Sequence, residues 1–388
     1  MYIKRLAIFV LILVLGFLLA TLFLQYRSLG LSQTVTSIER SFETLGQQKK
    51  QVIGFIPYWL IDKADKNYTR YLTTLAYFGL TVESDGSIQQ YTNPGESEPG
   101  WLALQSGKFT PPPGMSTSLV IFNGDPETIN ELISDPQTHA STLVDETLPI
   151  LQEHTFTDLN LDLENVLPAS ESARLHFTAF VRQVREDLTR KVGSHITITI
   201  DASPTDLIKT RLINLAAVAP YVDRVVLMTY DYHYSGSYVT GPVAPLGGAG
   251  VYNEFDTETA IQKALEVLPP SKVILGVPLY GYQWESITNS PRAATIPGSG
   301  IVMSNRAVEG FLAECATCSA HFEKLSEESY LIYKDQETNT YHQIFYPDAK
   351  STESKTTLAA KYHIAGLALW AIGYEANSIL EPIASYLK

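Results

Sequence analysis

The chain has 388 residues, 45% of them apolar and 18% charged, which excludes a disordered or low-complexity protein and allows one large domain with a small addition. Its formal charge of −13 is uneven: residues 1–50 carry six Lys/Arg and two Asp/Glu, whereas residues 51–388 carry 22 against 39. A body that acidic repels nucleic acid and anionic surfaces, so no nucleic-acid partner is expected and the substrate should be neutral or small and polar.

Lys4 and Arg5 precede an uncharged run of 19 residues, Leu6 to Leu24, long enough for a spanning helix. No small-x-small cleavage site closes the run, so residues 1–25 are expected to be an uncleaved signal anchor. The basic pair on its N-terminal side would hold the rest of the chain outside the cytoplasm, at the cell surface or in the periplasm; cleavage would instead release a secreted protein. In the linker, 26–50, Leu31, Val35, Ile38, Phe42 and Leu45 recur at spacings of four and three and form one helical stripe. Weak pairing with a second copy through 31–45 is one reading, a flexible or singly helical linker the other.

From Gln51 onward short apolar runs alternate with longer amphipathic stretches, the pattern of repeated β-α units. Strands are expected at 51–58, 72–81, 118–123, 156–164, 195–202, 223–230, 272–280 and 364–371. Helices fit between several of them. The clearest are 170–190, where Ala173, Phe177, Phe180, Val181, Val184 and Leu188 recur at helical spacing, and 256–268. Eight units over 51–388 suit a (β/α)8 barrel, which needs roughly 250 residues, so there is an excess to place. It lies between the seventh and eighth strands, a gap too long for one loop. The runs Tyr330–Lys334 and Tyr341–Tyr346 mark a small α+β insertion at about 285–362. The expected fold is thus α/β: a (β/α)8 barrel with that insertion, preceded by one transmembrane helix.

The insertion contains both cysteines, Cys315 and Cys318. A single pair lacks the second pair that a zinc site needs, and in an oxidising compartment the default is a local disulfide. No metal-spaced His/Asp cluster appears, His233 reads as a loop residue or sugar contact, and neither metal nor cofactor is expected.

The stretch Asp158-Leu159-Asn160-Leu161-Asp162-Leu163-Glu164 carries the chemistry. Alternation along a strand turns the leucines one way and Asn160, Asp162 and Glu164 the other. Barrel interiors are ordinarily packed with Val, Ile and Leu, and a buried carboxylate costs several kcal/mol unless it is paired. Polar groups in series therefore point either to an active site at the C-terminal mouth or to a half-exposed edge strand. The run 223–230 leads into Tyr230 and Asp231 in the same way, and Trp370 sits near the end of the last strand, where an aromatic ring can stack on a sugar.

Together these stretches resemble family 18 glycoside hydrolases, the chitinase-like enzymes. Asn160, Asp162 and Glu164 are in register with that family's Asp-x-Asp-x-Glu strand end. Met228-Thr229-Tyr230-Asp231, Gly276-Val277-Pro278-Leu279-Tyr280-Gly281-Tyr282 and Trp370 are similar to its sixth, seventh and eighth strand motifs, and Gly54-Phe55-Ile56-Pro57-Tyr58-Trp59 to its first strand. Asn-x-Asp-x-Glu-Asn-Val and Tyr234-Ser235-Gly236 bring the similarity closest to the bacterial spore-germination and cortex-lytic N-acetylglucosaminidase branch.

The resemblance implies retaining, substrate-assisted hydrolysis beside N-acetylglucosamine in peptidoglycan or a chitin oligomer. Glu164 would donate the proton to the glycosidic oxygen, Asp162 orient the 2-acetamido group and Tyr230 hold its carbonyl oxygen. Asn160, Asp231, Trp370, Tyr280 and Tyr58 would contact the sugar. Asn160 departs from the family's first Asp; its amide can hydrogen-bond to Asp162 but cannot store a proton, so an altered pH profile is expected. The alternative is a lectin-like relative that binds carbohydrate without cleaving it.

Overall fold

The computed structural model describes residues 49–251 and 253–388. The expected anchor over 1–25 and nearly all of the linker lie outside the described residues. Among the described residues no helix is long and apolar enough to cross a membrane.

Seven strands follow in chain order: β1 (Gln51–Pro57), β2 (Thr74–Thr81), β3 (Ser116–Asn123), β4 (Asp158–Leu163), β5 (Thr197–Ala202), β6 (Arg224–Leu227) and β7 (Val273–Pro278). Five more come next, β8 (Tyr280–Ser286), β9 (Ile301–Ser304), β10 (His321–Glu323), β11 (Glu328–Lys334) and β12 (Tyr341–Tyr346), and β13 (Gly366–Trp370) ends the series. Strands β1 to β7 and β13 pair in parallel and close into a barrel, with β13 seated between β7 and β1. The expected (β/α)8 barrel is therefore the observed one.

The alternation of residue types builds it. Leu159, Leu161 and Leu163 of β4 and Ile198 and Ile200 of β5 face outward and pack with Phe177, Phe180, Val181 and Val184 of the long helix Glu171–Val192. Truncating any one of these buried side chains to Ala typically costs about 2–5 kcal/mol, which is why the leucine phase of β4 is not negotiable. That helix begins where Ser170 accepts the Ala173 N–H, and Asp135 caps the preceding helix, Pro136–Glu153, in the same way. Inside the barrel an apolar cluster of Ile53, Phe55, Ala76, Phe78, Val120, Val226 and Ile274 fills one side. At the N-terminal end Asp158 is buried and met by Ser118, Thr197, Thr199 and Arg224 at 2.6–3.0 Å. A buried carboxylate there is stable because it has a cation and three hydroxyls.

Strand β6 is shorter than the expected 223–230. Past Leu227, Met228 still donates its N–H to Ala202 O at 2.9 Å, but Thr229 turns back to Leu227 O and fastens its hydroxyl to Gly276 O at 2.7 Å. Strands β8 to β12 form an antiparallel sheet in the order β9-β8-β12-β11-β10. This sheet begins at Tyr280, directly after β7 and ahead of the expected boundary near 285. Tyr280, Tyr282, Trp284 and Phe345 pack with Tyr230 and Trp370, so the sheet stands against the barrel mouth. Glu328, fully buried, accepts the N–H groups of Val243 and Ala244 at 2.5 and 2.9 Å and is offset by the charge of buried Lys355 on the helix Ala349–Lys361. Cys315 and Cys318 are joined by a disulfide just after the helix Asn305–Glu314.

Candidate active site

The site is assembled at the C-terminal ends of the barrel strands, where barrel chemistry resides. Strand β4 lies between β3 and β5, with Asp162 beside Phe122 and Asn160 beside Thr199. Asn160 and Asp162 face inward and are buried, at 1% and 3% exposure. Glu164 lies one residue past the end of β4, its N–H still held by Asn123 O at 2.9 Å, so its side chain continues the inward series at the rim.

Strand β5 repeats the device: Thr197, Thr199 and Asp201 alternate with outward Ile198, Ile200 and Ala202, and Asp201 arrives buried at 3% exposure near the strand's end. After β6 the chain delivers Tyr230 and then Asp231, whose φ of 58° turns the backbone sharply out of the strand. Asp231 is exposed as a residue, yet its carboxylate is turned inward and accepts hydrogen bonds from Tyr280 and Tyr282 at 2.6 and 3.0 Å. Gly276 leaves the room Tyr230 needs. A Cβ there would lie 2.5 Å from Leu227 O and 2.9 Å from the Tyr230 ring.

These groups line one cavity of about 580 Å³. Its acidic side carries Asp162, Glu164, Asp201, Asp206, Tyr230 and Asp231, interspersed with Leu212, Ile213 and Met228, and its aromatic side Phe55, Trp59, Phe78, Phe122 and Trp370. Trp370 is supported edge-on by Phe78 and Phe55, with ring centroids 4.9 and 6.0 Å away. Aromatic pairs in that geometry contribute about 0.5–1.5 kcal/mol beyond their area.

Three of the residues expected at the substrate stand outside the cavity wall. Asn160 lies one layer down and donates to Asp201 Oδ1 at 3.1 Å, rather than to Asp162 as its place on the shared strand implies. Tyr280 is buried behind Asp231. Tyr58 packs on the outer core, edge-on to Trp59, and the half-exposed Trp59 takes the cavity position instead. His233 is tied to Pro242 O at 2.9 Å and lines no part of the cavity. The residues that sequence reasoning missed are Asp201, Phe55, Phe78, Phe122 and Trp59. The strand alternation that found Asp162 equally finds Asp201 in Thr-Ile-Thr-Ile-Asp; the aromatic wall had no such signal, because inward Phe residues read as ordinary core.

Burial pushes the Asp162 carboxyl well above the usual carboxylate range, with the charges of Asp201 and Glu164 adding to it. Asp201 is raised for the same first reason and is partly offset by the Asn160 amide. Glu164 is raised by burial and then by the charge of Asp231. Asp231 is raised by burial, against which its two tyrosine donors act. Among the described residues no cation acts on Asp162, Glu164 or Asp201, and Arg224, engaged with Asp158, belongs to the opposite end of the barrel. Chemically, the cavity offers neighbouring carboxyl groups whose protonated forms burial favours, with the Tyr230 hydroxyl among them and a tryptophan face opposite. Among the described residues no group of His, Cys, Asp and Glu is arranged to hold a metal ion.

Comparison with known proteins agrees with this architecture. The pattern of the glycosyl hydrolases family 18 matches residues 113–375. A putative sporulation-specific glycosylase YdhD of Bacillus subtilis is 23% identical over 337 residues, covering 85% of this chain and 74% of its own. A cortical fragment-lytic enzyme of the same organism is 24% identical over 326 residues, covering 81% of this chain and 67% of its own. A crystal structure of a family 18 chitinase variant from Cycas revoluta with (GlcNAc)4 superposes with a TM-score of 0.72 at 20% identity, covering 87% of this chain and 99% of that one. With more than half of its length inside the family pattern, on a closed eight-stranded barrel, the chain belongs to family 18 of the glycosyl hydrolases and is a chitinase-like glycoside hydrolase.

Proposed function

We propose that the protein hydrolyses β-1,4 bonds next to N-acetylglucosamine in peptidoglycan or chitin-type glycans, with retention of configuration and with the substrate's own acetamido group as nucleophile. The observation that carries the proposal is that Asp162 and Glu164, two positions apart on one inward strand face, share a cavity with Tyr230 and Trp370. Glu164 protonates the departing glycosidic oxygen while the acetamido carbonyl oxygen attacks the anomeric carbon, forming a cyclic oxazolinium. Asp162 accepts the acetamido N–H and balances the positive charge, the Tyr230 hydroxyl donates to the acetamido oxygen, and Trp370 lies under the reacting ring. The Glu164 carboxylate then takes a proton from water, which opens the oxazolinium and restores the acid.

The cortical fragment-lytic relative supports a peptidoglycan substrate, and the (GlcNAc)4 complex of the structural neighbour supports chitin-type sugars. The basic pair and uncharged run over residues 4–24 support a body anchored outside the cytoplasm, with the hydrolase over 51–388, its insertion at about 285–362 and any stalk pairing through 31–45.

The test is mass spectrometry of peptidoglycan and chitin-oligomer digests by the full chain, with NMR of the first-formed anomer. Products ending in N-acetylglucosamine with retained configuration are expected. Glu164→Gln should lower turnover by roughly 10²–10⁴-fold while sparing oligomer binding. Sugar binding without cleavage by the parent chain would instead make it lectin-like.

A further inference from the structure

The barrel holds a carboxyl that the proposed chemistry does not use. Asn160 pairs with Thr199 and Leu161 with Ile200, so the next residues along, Asp162 and Asp201, stand side by side on neighbouring strands with both side chains inward. Backbones of adjacent strands run about 4.8 Å apart, so the two inward carboxyl groups are near neighbours, and neighbouring carboxyls in a buried setting resist being ionised together. The titratable groups acting on them are Glu164 at the rim of β4, Asp158 a layer below and Tyr230 beyond β6, all acids, while Arg224 below is engaged with Asp158, Gln51 and Thr197. Asp162 Oδ1 is buried and has no hydrogen-bond donor among the described residues. The polar side chain that meets Asp201 is Asn160, whose amide donates to Oδ1 at 3.1 Å.

We infer that Asp201 is a positioning residue for Asp162: the two carboxyls share one proton, and Asp201, anchored by Asn160, is the base that receives it when Asp162 must become anionic. In the resting enzyme Asp162 carries the proton and Asp201 the charge, because the Asn160 amide favours the anion at 201 and no donor favours one at Asp162 Oδ1. As the acetamido group engages Asp162 and turns cationic, the Asp162 O–H bond breaks and an Asp201 O–H bond forms. No charge enters or leaves the pair, and the proton returns when the oxazolinium opens. Asn160, which cannot hold a proton itself, thus acts through the neighbouring strand.

This inference rests on the proposed substrate-assisted reaction, and two measurements on the full chain test it. The first is kcat against pH for the parent chain, Asp201→Asn and the pair Asn160→Asp with Asp201→Asn. Without an acceptor at 201, Asp162 must lose its proton to solvent. The acid limb of Asp201→Asn should therefore move to higher pH, with kcat at the parent's acid-side half-maximum down at least tenfold, and Asn160→Asp should bring the limb back. A uniform fall in kcat at every pH, or no rescue, overturns the inference. The second is infrared spectroscopy in a Glu164→Gln background at neutral pH, which reads the pair without turnover. The protonated-carboxyl band should be present and should lose one acid's intensity on Asp162→Asn. Its absence, or no change on that substitution, overturns the shared proton, whereas a failure of the parent chain to cleave any glycan would strike the proposed function and leave the infrared result standing.

Discussion

In the proposed reaction Glu164 must hold a proton to donate, and two causes raise its pKa: burial, and the negative charge of Asp231. The second is removable without dismantling the site, since an amide oxygen at 231 can still accept from Tyr280 and Tyr282. In Asp231→Asn the charge that disfavours ionisation of Glu164 is gone, its pKa falls, and the alkaline limb of the kcat–pH curve should move to lower pH. An unmoved limb would mean that burial alone sets the acidity of Glu164. At this scale the sequence was most informative where a polar residue breaks an apolar pattern, as at Asp162 and Glu164. It was least informative about contacts: nothing in Asn-x-Asp-x-Glu says that Asn160 reaches across to β5 instead of along its own strand.

Individual strands were legible because their periods are strict. The inward phase of β4 and β5 follows from the outward Leu and Ile residues, and the long helix Glu171–Val192 lies close to its expected 170–190. Strand ends were less legible. The expected sixth strand overran because Met228 to Tyr230 are as strand-prone as the residues before them, and what stops pairing is Thr229 turning its hydroxyl onto Gly276 O. Gly276→Ala isolates that junction. Its Cβ would press on Leu227 O and on the Tyr230 ring, so a stability loss of about 1–3 kcal/mol is expected. A fall in kcat of at least tenfold should accompany it, read by denaturant unfolding and by turnover on a chromogenic oligomer. Turnover that stays level while stability drops would show that the ring of Tyr230 tolerates displacement.

For the whole molecule, the antiparallel sheet and the barrel are held together by more than apolar packing. Glu328 ties β11 to the backbone at Val243 and Ala244, and its charge opposes that of Lys355. Removing Glu328 would leave the buried Val243 and Ala244 N–H groups without their acceptor, which typically costs about 1–3 kcal/mol for each group. Glu328→Ala should therefore lower the unfolding free energy by about that amount and raise amide exchange over 328–346 and 243–244 more than over β1 to β5. Uniform exchange across both sheets would mean that they unfold as one unit. The sequence indicated an insertion here from length and from the strand-like runs Tyr330–Lys334 and Tyr341–Tyr346, but not its attachment, since Glu328 and Lys355 look like surface residues until the fold buries them.

Going round the barrel, β13, β1, β2 and β3 contribute Trp370, Phe55, Phe78 and Phe122, while β4, β5 and the segment after β6 contribute the acids and Tyr230. The rim is therefore lopsided, with its stacking rings on one arc and its carboxyl groups on the other. A pyranose is itself two-sided, with C–H groups on its faces and a distinct substituent at each edge, so it has one comfortable way to settle. A sugar ring laid on such a rim would be turned the same way at each encounter, one face on Trp370 and one edge toward the carboxyl groups.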